Sequence, residues 1–135
     1  MRFVQLTDRV EPGAGPLDTA GLLGMWVNAN PETQGIARFV VSETDGRLKL
    51  RVYAVGPGGL VDWGEAEAKP YAGSPASGAA VGFACLYDFG FAEARLMAMI
   101  MKGLVVLAQF HRFKDGSQRA PYFVREYFAL EHGRY

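Results

Sequence analysis

The sequence contains one cysteine, Cys85, and only two histidines, His111 and His132, among 135 residues. One cysteine cannot form an intramolecular disulfide, and it excludes a Cys-rich zinc site. Two histidines leave few ligands for any other transition metal, so we expect neither a metal nor a cofactor. Cys85 lies in an apolar segment and is predicted to be a small buried hydrophobe.

An excess of charge of one sign is also absent. Fourteen Lys and Arg residues balance fourteen Asp and Glu residues, so the formal net charge is zero. Nucleic-acid binding depends on clustered Lys and Arg, which this chain lacks, so we expect no nucleic-acid partner. Half of the residues are hydrophobic and 21% are charged, which is enough apolar material for a folded core.

Long hydrophobic runs are missing as well. The apolar run at residues 3–6 is interrupted by Gln5 and is too short for the core of a signal peptide. The most apolar stretch, residues 96–110, is broken by Lys102 and Gly103 and falls short of the roughly 20 residues that cross a bilayer as a helix. We therefore expect a cytoplasmic protein with no membrane partner.

Glycine and proline are frequent instead, with 17 and 7 copies, and they divide the chain into many short segments. This pattern is typical of an all-β protein. We expect an N-terminal lead-in at residues 1–20 and one barrel domain at residues 21–135. The lead-in holds an extended piece at 3–6 and a loop at 11–16, with a helical turn at 17–23. The predicted strands are 24–30, 36–43, 47–55, 61–68, 79–89, 91–101, 104–113 and 122–130.

Short turns connect these segments. Asp45-Gly46 between two β-rich segments predicts a type I′ hairpin turn, because both residues tolerate positive φ. Residues 91–101 are rich in helix formers and would be a helix by propensity alone. We predict a strand there because Lys102-Gly103 and residues 88–90 look like tight connections. Segments joined in this way pair antiparallel in chain order, which predicts an eight-stranded up-and-down barrel with room for side chains or one small ligand.

The motif Gly24-Met25-Trp26 after a short helical turn is similar to the Gly-x-Trp opening of lipocalin-like (calycin) barrels. The longer pattern of residues 26–28, 30–31, 35–36, 62–64 and 87–91 resembles a small uncharacterised lipocalin-like domain of bacteria. The resemblance covers roughly residues 24–130. It implies that Trp26 closes the barrel base and that Arg125 on the last strand packs over it as a cation–π stack.

Two pairs of polar residues interrupt otherwise apolar strand faces. Gln109 and His111 continue the apolar face of residues 105 and 107, which is how a ligand pocket places its orienting groups. Glu93 and Arg95 share a face with three methionines, at positions 97, 99 and 101. If that face points inward, it lines a Met-rich cavity. If it points outward, it implies a partner chain, and we favour a homodimer.

These observations predict a barrel that binds a small hydrophobic or aromatic molecule. An alternative is a cofactor-independent cyclase or isomerase of a natural-product pathway, with His111, Tyr87 and Glu93 as candidate proton-transfer groups. A third reading is a partner-binding module with no ligand. The predicted ligand-binding residues are Trp26, Asn28, Tyr87, Arg95, Gln109, His111, Tyr122 and Arg125.

Overall fold

The computed structural model describes residues 16–132 and shows a closed antiparallel barrel. Each strand pairs with the next one in the chain, and β1 pairs with β8, so the order is up-and-down. The helical content of the described residues is one short 3-10 turn, Ala20–Leu22. The predicted fold class is thus confirmed. The strands are β1 (Gly24–Asn28), β2 (Ile36–Thr44), β3 (Arg47–Gly56), β4 (Gly59–Ala72), β5 (Ala80–Asp88), β6 (Ala92–Met101), β7 (Leu104–Phe113) and β8 (Tyr122–Leu130).

Most predicted strand positions agree with the structure, and β4 differs most. Its first part pairs with β3, and its last four residues, Lys69 to Ala72, pair with β5. The predicted loop at 69–78 therefore begins later, because pairing on that side continues the strand through Pro70. The extended piece predicted at 3–6, and the predicted loop at 11–16 up to residue 15, lie outside the described residues.

Segment 91–101 is a strand despite its helix-forming composition. Along β6, burial alternates: Ala94 and Leu96 are fully buried, while Arg95 between them is exposed. Pairing with β5 on one side and β7 on the other outweighs a propensity difference of less than about 1 kcal/mol per residue. The turn that follows has positive φ at Lys102 (54°) and Gly103 (82°), as a type I′ hairpin requires.

Asp45-Gly46 forms the predicted hairpin turn, with φ of 54° and 76°. It lies at the same end of the barrel as the 3-10 turn, and this end is closed. There Trp26 is 3% exposed and donates its indole N–H to the Leu22 carbonyl oxygen at 2.9 Å. The placement of Trp26 at the barrel base agrees with the resemblance to lipocalin-like barrels.

The interior above Trp26 is filled with side chains. Phe39 and Phe128 are fully buried, and their ring centroids lie 4.9 Å apart in an edge-to-face contact. Burial of each such ring contributes about 1.5–3 kcal/mol to folding. Because this half of the barrel is packed, space for a ligand inside the barrel is left only toward the opposite end.

The methionine face of β6 points outward. Met97, Met99 and Met101 are 48%, 39% and 51% exposed, so this face points to the outside and does not line a cavity within the barrel. The inward positions of β6 hold mainly alanine and leucine. Next to the methionines, Phe110 and Phe123 are also exposed, with their ring centroids 4.8 Å apart.

Candidate functional site

Four loops, at residues 29–35, 57–58, 89–91 and 114–121, surround the open end of the barrel. Between them lies a cleft with two lobes, which we call the mouth cleft. The polar lobe has a volume of about 700 Å³ and the aromatic lobe one of about 430 Å³. Both lobes are lined by Val61, Trp63, His111 and Tyr122.

The Glu126 carboxylate is the centre of the polar lobe. Its Oε2 accepts hydrogen bonds from Nδ2 of Asn28 at 2.9 Å and from the Thr33 hydroxyl at 2.8 Å. Its Oε1 accepts one from Nε2 of Gln109 at 3.1 Å. Three donors from three parts of the chain therefore hold this carboxylate, and no Lys or Arg among residues 16–132 forms an ion pair with it.

Asn28 is oriented by the backbone around it. Its Oδ1 accepts the Asn30 backbone N–H at 2.8 Å, and its Nδ2 donates to the Ile36 carbonyl oxygen at 2.9 Å. A backbone N–H can only donate and a backbone C=O can only accept, so the two ends of the amide cannot be exchanged. Asn28 therefore donates to Glu126.

His111 forms the wall between the two lobes. Its Nε2 lies 3.2 Å from Oε1 of Gln109, and its ring stacks on Tyr122, with centroids 4.4 Å apart and planes 6° from parallel. Burial lowers the pKa of the half-buried His111 below its usual value. The imidazole is therefore neutral at pH 7, because desolvation penalises the charged form.

The aromatic lobe is built from rings that contact one another in sequence. The Trp63 ring meets Tyr87 at 5.3 Å and Phe89 at 5.0 Å, both edge to face. Phe89 and Phe91 are 38% and 54% exposed, so the rim of this lobe offers apolar ring surface to a ligand. Such a surface suits a planar or cyclic apolar molecule.

Tyr87 lies beneath this lobe, and its hydroxyl group hydrogen-bonds to the backbone of the barrel. Its hydroxyl is 2.7 Å from the Gly64 carbonyl oxygen and 3.0 Å from that of Leu50, and the side chain is 5% exposed. Burial raises the pKa of Tyr87 well above its usual value. The hydroxyl proton therefore bonds to the backbone and is not available for transfer to a ligand near neutral pH.

A β-bulge between β3 and β4 places Trp63 in the cleft. The Asp62 carboxylate accepts hydrogen bonds from two nitrogens of the Arg51 guanidinium, Nε at 3.1 Å and Nη2 at 2.6 Å. It also accepts one from the Gly64 backbone N–H at 2.8 Å. Gly64 has a φ of 85°, which glycine adopts without the cost that a side chain adds. This arrangement holds Asp62 outside and lets Trp63 face the aromatic rings.

The β5–β6 connection is held in a similar way. Asp88 Oδ1 accepts the Gly90 N–H at 2.9 Å and the Lys114 ammonium at 2.8 Å, which ties this loop to the one after β7. The paired Lys114 lowers the pKa of Asp88. Glu93 contacts Arg112 at 2.9 Å and is thus bound in an ion pair.

Of the predicted ligand-binding residues, the structure brings Gln109, His111 and Tyr122 together in the mouth cleft. Asn28 and Tyr87 support the cleft from behind through the hydrogen bonds described above.

The structure separates the other three predicted residues from the cleft. Trp26 lies at the closed end of the barrel, and Arg95 and Arg125 lie on the outer face of the sheet. Arg125 alternates with the inward-facing Glu126 along β8, so it does not cover Trp26, and no cation–π contact joins these two described residues. The expected stack is therefore not formed.

Glu126, Thr33 and Trp63 are the cleft residues that the predicted set omits. Glu126 has the same parity on β8 as Tyr122, Val124 and Phe128, so an acid on an otherwise apolar or aromatic strand face was the signal that pointed to it. Thr33 lies in a loop, where strand parity carries no information. Trp63 had a signal in its neighbours Asp62 and Gly64, which mark a bulge.

Cys85 is buried, as predicted, and does not belong to the cleft. It is 4% exposed and its thiol contacts the Glu67 carbonyl oxygen at 3.5 Å. Burial raises the pKa of the thiol to about 11, so it carries almost no thiolate near neutral pH.

Two further observations concern residues 16–132. No group of three or more His, Cys, Asp or Glu side chains in this part of the chain is arranged to hold a metal ion. None of its helices has the length and apolar character needed to traverse a lipid bilayer.

No protein-family model, curated protein or solved structure matches this chain. The eight-stranded antiparallel barrel is compatible with a lipocalin-like fold. What the chain does is therefore argued from the mouth cleft itself.

Proposed function

We propose that this protein is a lipocalin-like barrel that binds one small hydrophobic or aromatic molecule in the mouth cleft. The observation that carries the proposal is the division of the barrel into a packed base and an open end. The open end combines exposed aromatic rings with a few convergent polar groups, which is the usual composition of a small-molecule site.

In this proposal the two lobes have different tasks. Trp63 and the rings of Phe89 and Phe91 at the rim contribute apolar contact area, while His111, held in place by Gln109, orients the ligand from the wall of the cleft. Tyr122 supports the His111 ring. A flat ligand that lies across the shared wall contacts both lobes at once.

A neutral apolar dye, 1-N-phenylnaphthylamine, tests this location. Val61 lines both lobes and is 49% exposed, so Val61→Lys places a charge in the cleft with little effect on folding. The matched control is Tyr71→Lys, because Tyr71 is also 49% exposed but lies near the closed end of the barrel and lines neither lobe. We expect Val61→Lys to weaken dye binding at least tenfold and Tyr71→Lys to leave it unchanged. Equal effects of the two changes would contradict a site in the cleft.

Native mass spectrometry of freshly purified protein addresses the natural ligand. A stoichiometric small-molecule mass that is lost on unfolding, and is absent from Val61→Lys, supports a cleft ligand and identifies its class. The same added mass on the Val61→Lys variant would place the molecule elsewhere on the surface.

A cofactor-independent cyclase or isomerase is the second candidate, and the neutral His111 imidazole beside the cleft favours it. The other two candidate proton-transfer groups already have partners: the Tyr87 hydroxyl hydrogen-bonds to backbone carbonyl oxygens, and Glu93 forms an ion pair with Arg112. A His111→Phe variant that retains an isomer of equal mass but different chromatographic retention from the wild-type ligand would support catalysis. Identical ligands in both proteins would support carriage.

We further propose that the exposed methionine face of β6 meets a second copy of the chain. Met97, Met99 and Phe110 are 48%, 39% and 45% exposed, and a formal net charge of zero gives two copies no net repulsion. Size-exclusion chromatography with light scattering should give a dimer mass. Met99→Lys should give a monomer, whereas Leu60→Lys, which changes a 46% exposed residue on β4, should stay dimeric. A wild-type monomer contradicts this proposal, and an aggregating monomer supports the partner-binding module instead.

A cytoplasmic location remains part of the proposal. It rests on the sequence, whose apolar run at residues 3–6 is too short for the core of a signal peptide, and fractionation of cells that express a tagged chain tests it. Recovery of the tagged chain outside the cytoplasmic fraction would overturn this assignment.

A further inference from the structure

The polar lobe contains a chain of hydrogen bonds that links Asn28, Glu126, Gln109 and His111. The donor and the acceptor of each bond follow from the orientation of Asn28. The Asn30 N–H and the Ile36 C=O fix Asn28, so the Asn28 amide nitrogen faces Glu126. Glu126 therefore receives a proton donor from Asn28 and another from the Thr33 hydroxyl. A carboxylate that is bound in this way acts as an acceptor.

The acceptor role of Glu126 decides which end of the Gln109 side-chain amide faces it. The carboxylate can only accept, so Gln109 must turn its NH₂ group toward Glu126, across the 3.1 Å contact. Its carbonyl oxygen then faces Nε2 of His111 at 3.2 Å. Gln109 is 2% exposed, so water does not offer its amide an alternative partner.

The orientation of the Gln109 amide in turn decides which nitrogen of the His111 imidazole carries the proton. A Gln carbonyl oxygen can only accept, so Nε2 of His111 must carry the proton. In a neutral imidazole Nδ1 is then bare and accepts hydrogen bonds. No described residue hydrogen-bonds to Nδ1, and Nδ1 is not among the fully buried atoms that lack a partner, so it is accessible to solvent on a side chain that lines both lobes of the cleft.

We propose that Gln109 and Glu126 hold His111 as its Nε2–H tautomer, so that Nδ1 is the hydrogen-bond acceptor of the mouth cleft and selects flat aromatic ligands that carry an N–H or O–H group. This inference rests on the proposed ligand-binding function and names its ligand class. Gln109 and Glu126 act as positioning residues, and His111 is the group that touches the ligand. The rings of the aromatic lobe hold the flat part of the molecule.

The tautomer can be measured without any ligand. Long-range ¹H–¹⁵N correlation at pH 7.5 distinguishes the protonated from the bare ring nitrogen of each histidine. We expect His111 to be protonated only on Nε2 and to show a slowly exchanging N–H proton. Gln109→Met keeps the side-chain length but removes the acceptor, so the slow N–H should disappear and both tautomers should be populated. A proton on Nδ1 in the wild-type protein would overturn the proposal.

Indole and 1-methylindole test the ligand class, because methylation removes the only hydrogen-bond donor of the ring. NMR titration, followed through the amides of the cleft residues Gly35 and Gly56, gives a Kd for each probe. We expect the wild-type protein to bind indole about three- to tenfold more tightly, as one neutral hydrogen bond gives. His111→Phe should bind both probes equally, because it keeps a flat ring beside Tyr122. His132→Phe, which changes the other histidine, should retain the preference.

The outcomes separate the two proposals. Equal binding of both indoles to the wild-type cleft would refute Nδ1 as the acceptor and leave the ligand-binding function standing. A His111→Phe variant that still prefers indole to 1-methylindole would also refute Nδ1 as the acceptor and leave the ligand-binding function standing. Tighter binding of 1-methylindole, which carries no hydrogen-bond donor, than of indole would refute the ligand class alone. Absence of all three probes from the cleft would refute the proposed function too, and the tautomer measurement would still decide the positioning role.

Discussion

The side-chain amide of Gln109 donates to Oε1 of Glu126 at 3.1 Å inside the barrel. Gln109 is 2% exposed, so this bond replaces the water that its amide loses on folding. Buried polar groups are tolerated when they are hydrogen-bonded, and an unpaired one costs about 1–3 kcal/mol. The polar lobe is therefore part of the framework as well as a binding surface.

Glu126→Ala should destabilise the fold, because the buried Gln109 amide nitrogen loses its acceptor and the Asn28 amide nitrogen keeps only the Ile36 carbonyl oxygen. We expect the free energy of unfolding, measured with urea, to fall by about 1–3 kcal/mol. Glu65→Ala, an exposed change on β4, is the control and should stay within about 0.5 kcal/mol of wild type. Equal losses in the two variants would show that the network adds no stability.

His111 should make the fold sensitive to mild acid. Burial lowers the pKa of His111 from 6.5 in the folded chain, so below about pH 6.5 the unfolded chain binds a proton that the folded chain resists. The free energy of unfolding should therefore fall as the pH drops through 6.5 toward the lower folded pKa. His111→Phe should reduce this fall, and His132→Phe should not. The same slope in all three proteins would contradict the assignment.

Cys85 should have the opposite pH dependence. Its pKa is raised from 9.0 to about 11 by burial, so between these values the unfolded chain releases a proton that the folded chain keeps. The free energy of unfolding should decrease over that range, by on the order of 1–3 kcal/mol. Tyr87 is also raised in pKa and adds to the loss at still higher pH. Urea unfolding of Cys85→Ala from pH 8 to 11 should show a smaller decrease, and an unchanged one would refute the role of the thiol.

Gly82→Ala should be strongly destabilising although no strained φ is involved. A Cβ at position 82 would lie 2.2 Å from the Ala98 carbonyl oxygen on the paired strand. Backbone atoms of two paired strands cannot move apart cheaply, so we expect a loss of about 2 kcal/mol or more in thermal or urea unfolding. Gly58→Ala is the control, since a Cβ there meets no atom within 4 Å. A variant at position 82 as stable as the control would show that β5 and β6 can separate locally.

Asp62→Ala should weaken ligand binding more than it weakens the fold. The carboxylate holds the Arg51 guanidinium and the Gly64 N–H outside the barrel, which orients Trp63 into the cleft. Because the pair is exposed, its loss should hardly change the urea midpoint. Dye affinity should fall several-fold, and Trp63 emission should change because the ring loses its fixed position. Arg47→Ala, which removes a more exposed ion pair with Glu67, is the control and should leave both readouts unchanged.

The architecture followed from local signals in the chain. Asp45-Gly46 and Lys102-Gly103 are short hairpin turns, and a short turn between two strands permits only antiparallel neighbours. Eight such segments in sequence are sufficient to predict the order of the sheet. Parity along β7 also placed Gln109 and His111 on the same face of the strand, because side chains alternate along a strand.

Parity within a strand does not tell which of its faces is inside, and this is what the tertiary structure decided. Both faces of β6 are apolar, so the sequence was compatible with Arg95 inside or outside, and pairing with β5 and β7 put it outside. The hydrogen bonds of Glu126 to Asn28 and Thr33 join residues more than ninety positions apart. Such contacts arise only when closure of the barrel brings β8 beside β1, because local propensities and turn signals act over a few residues and carry no information about the side chains that meet across the closed sheet.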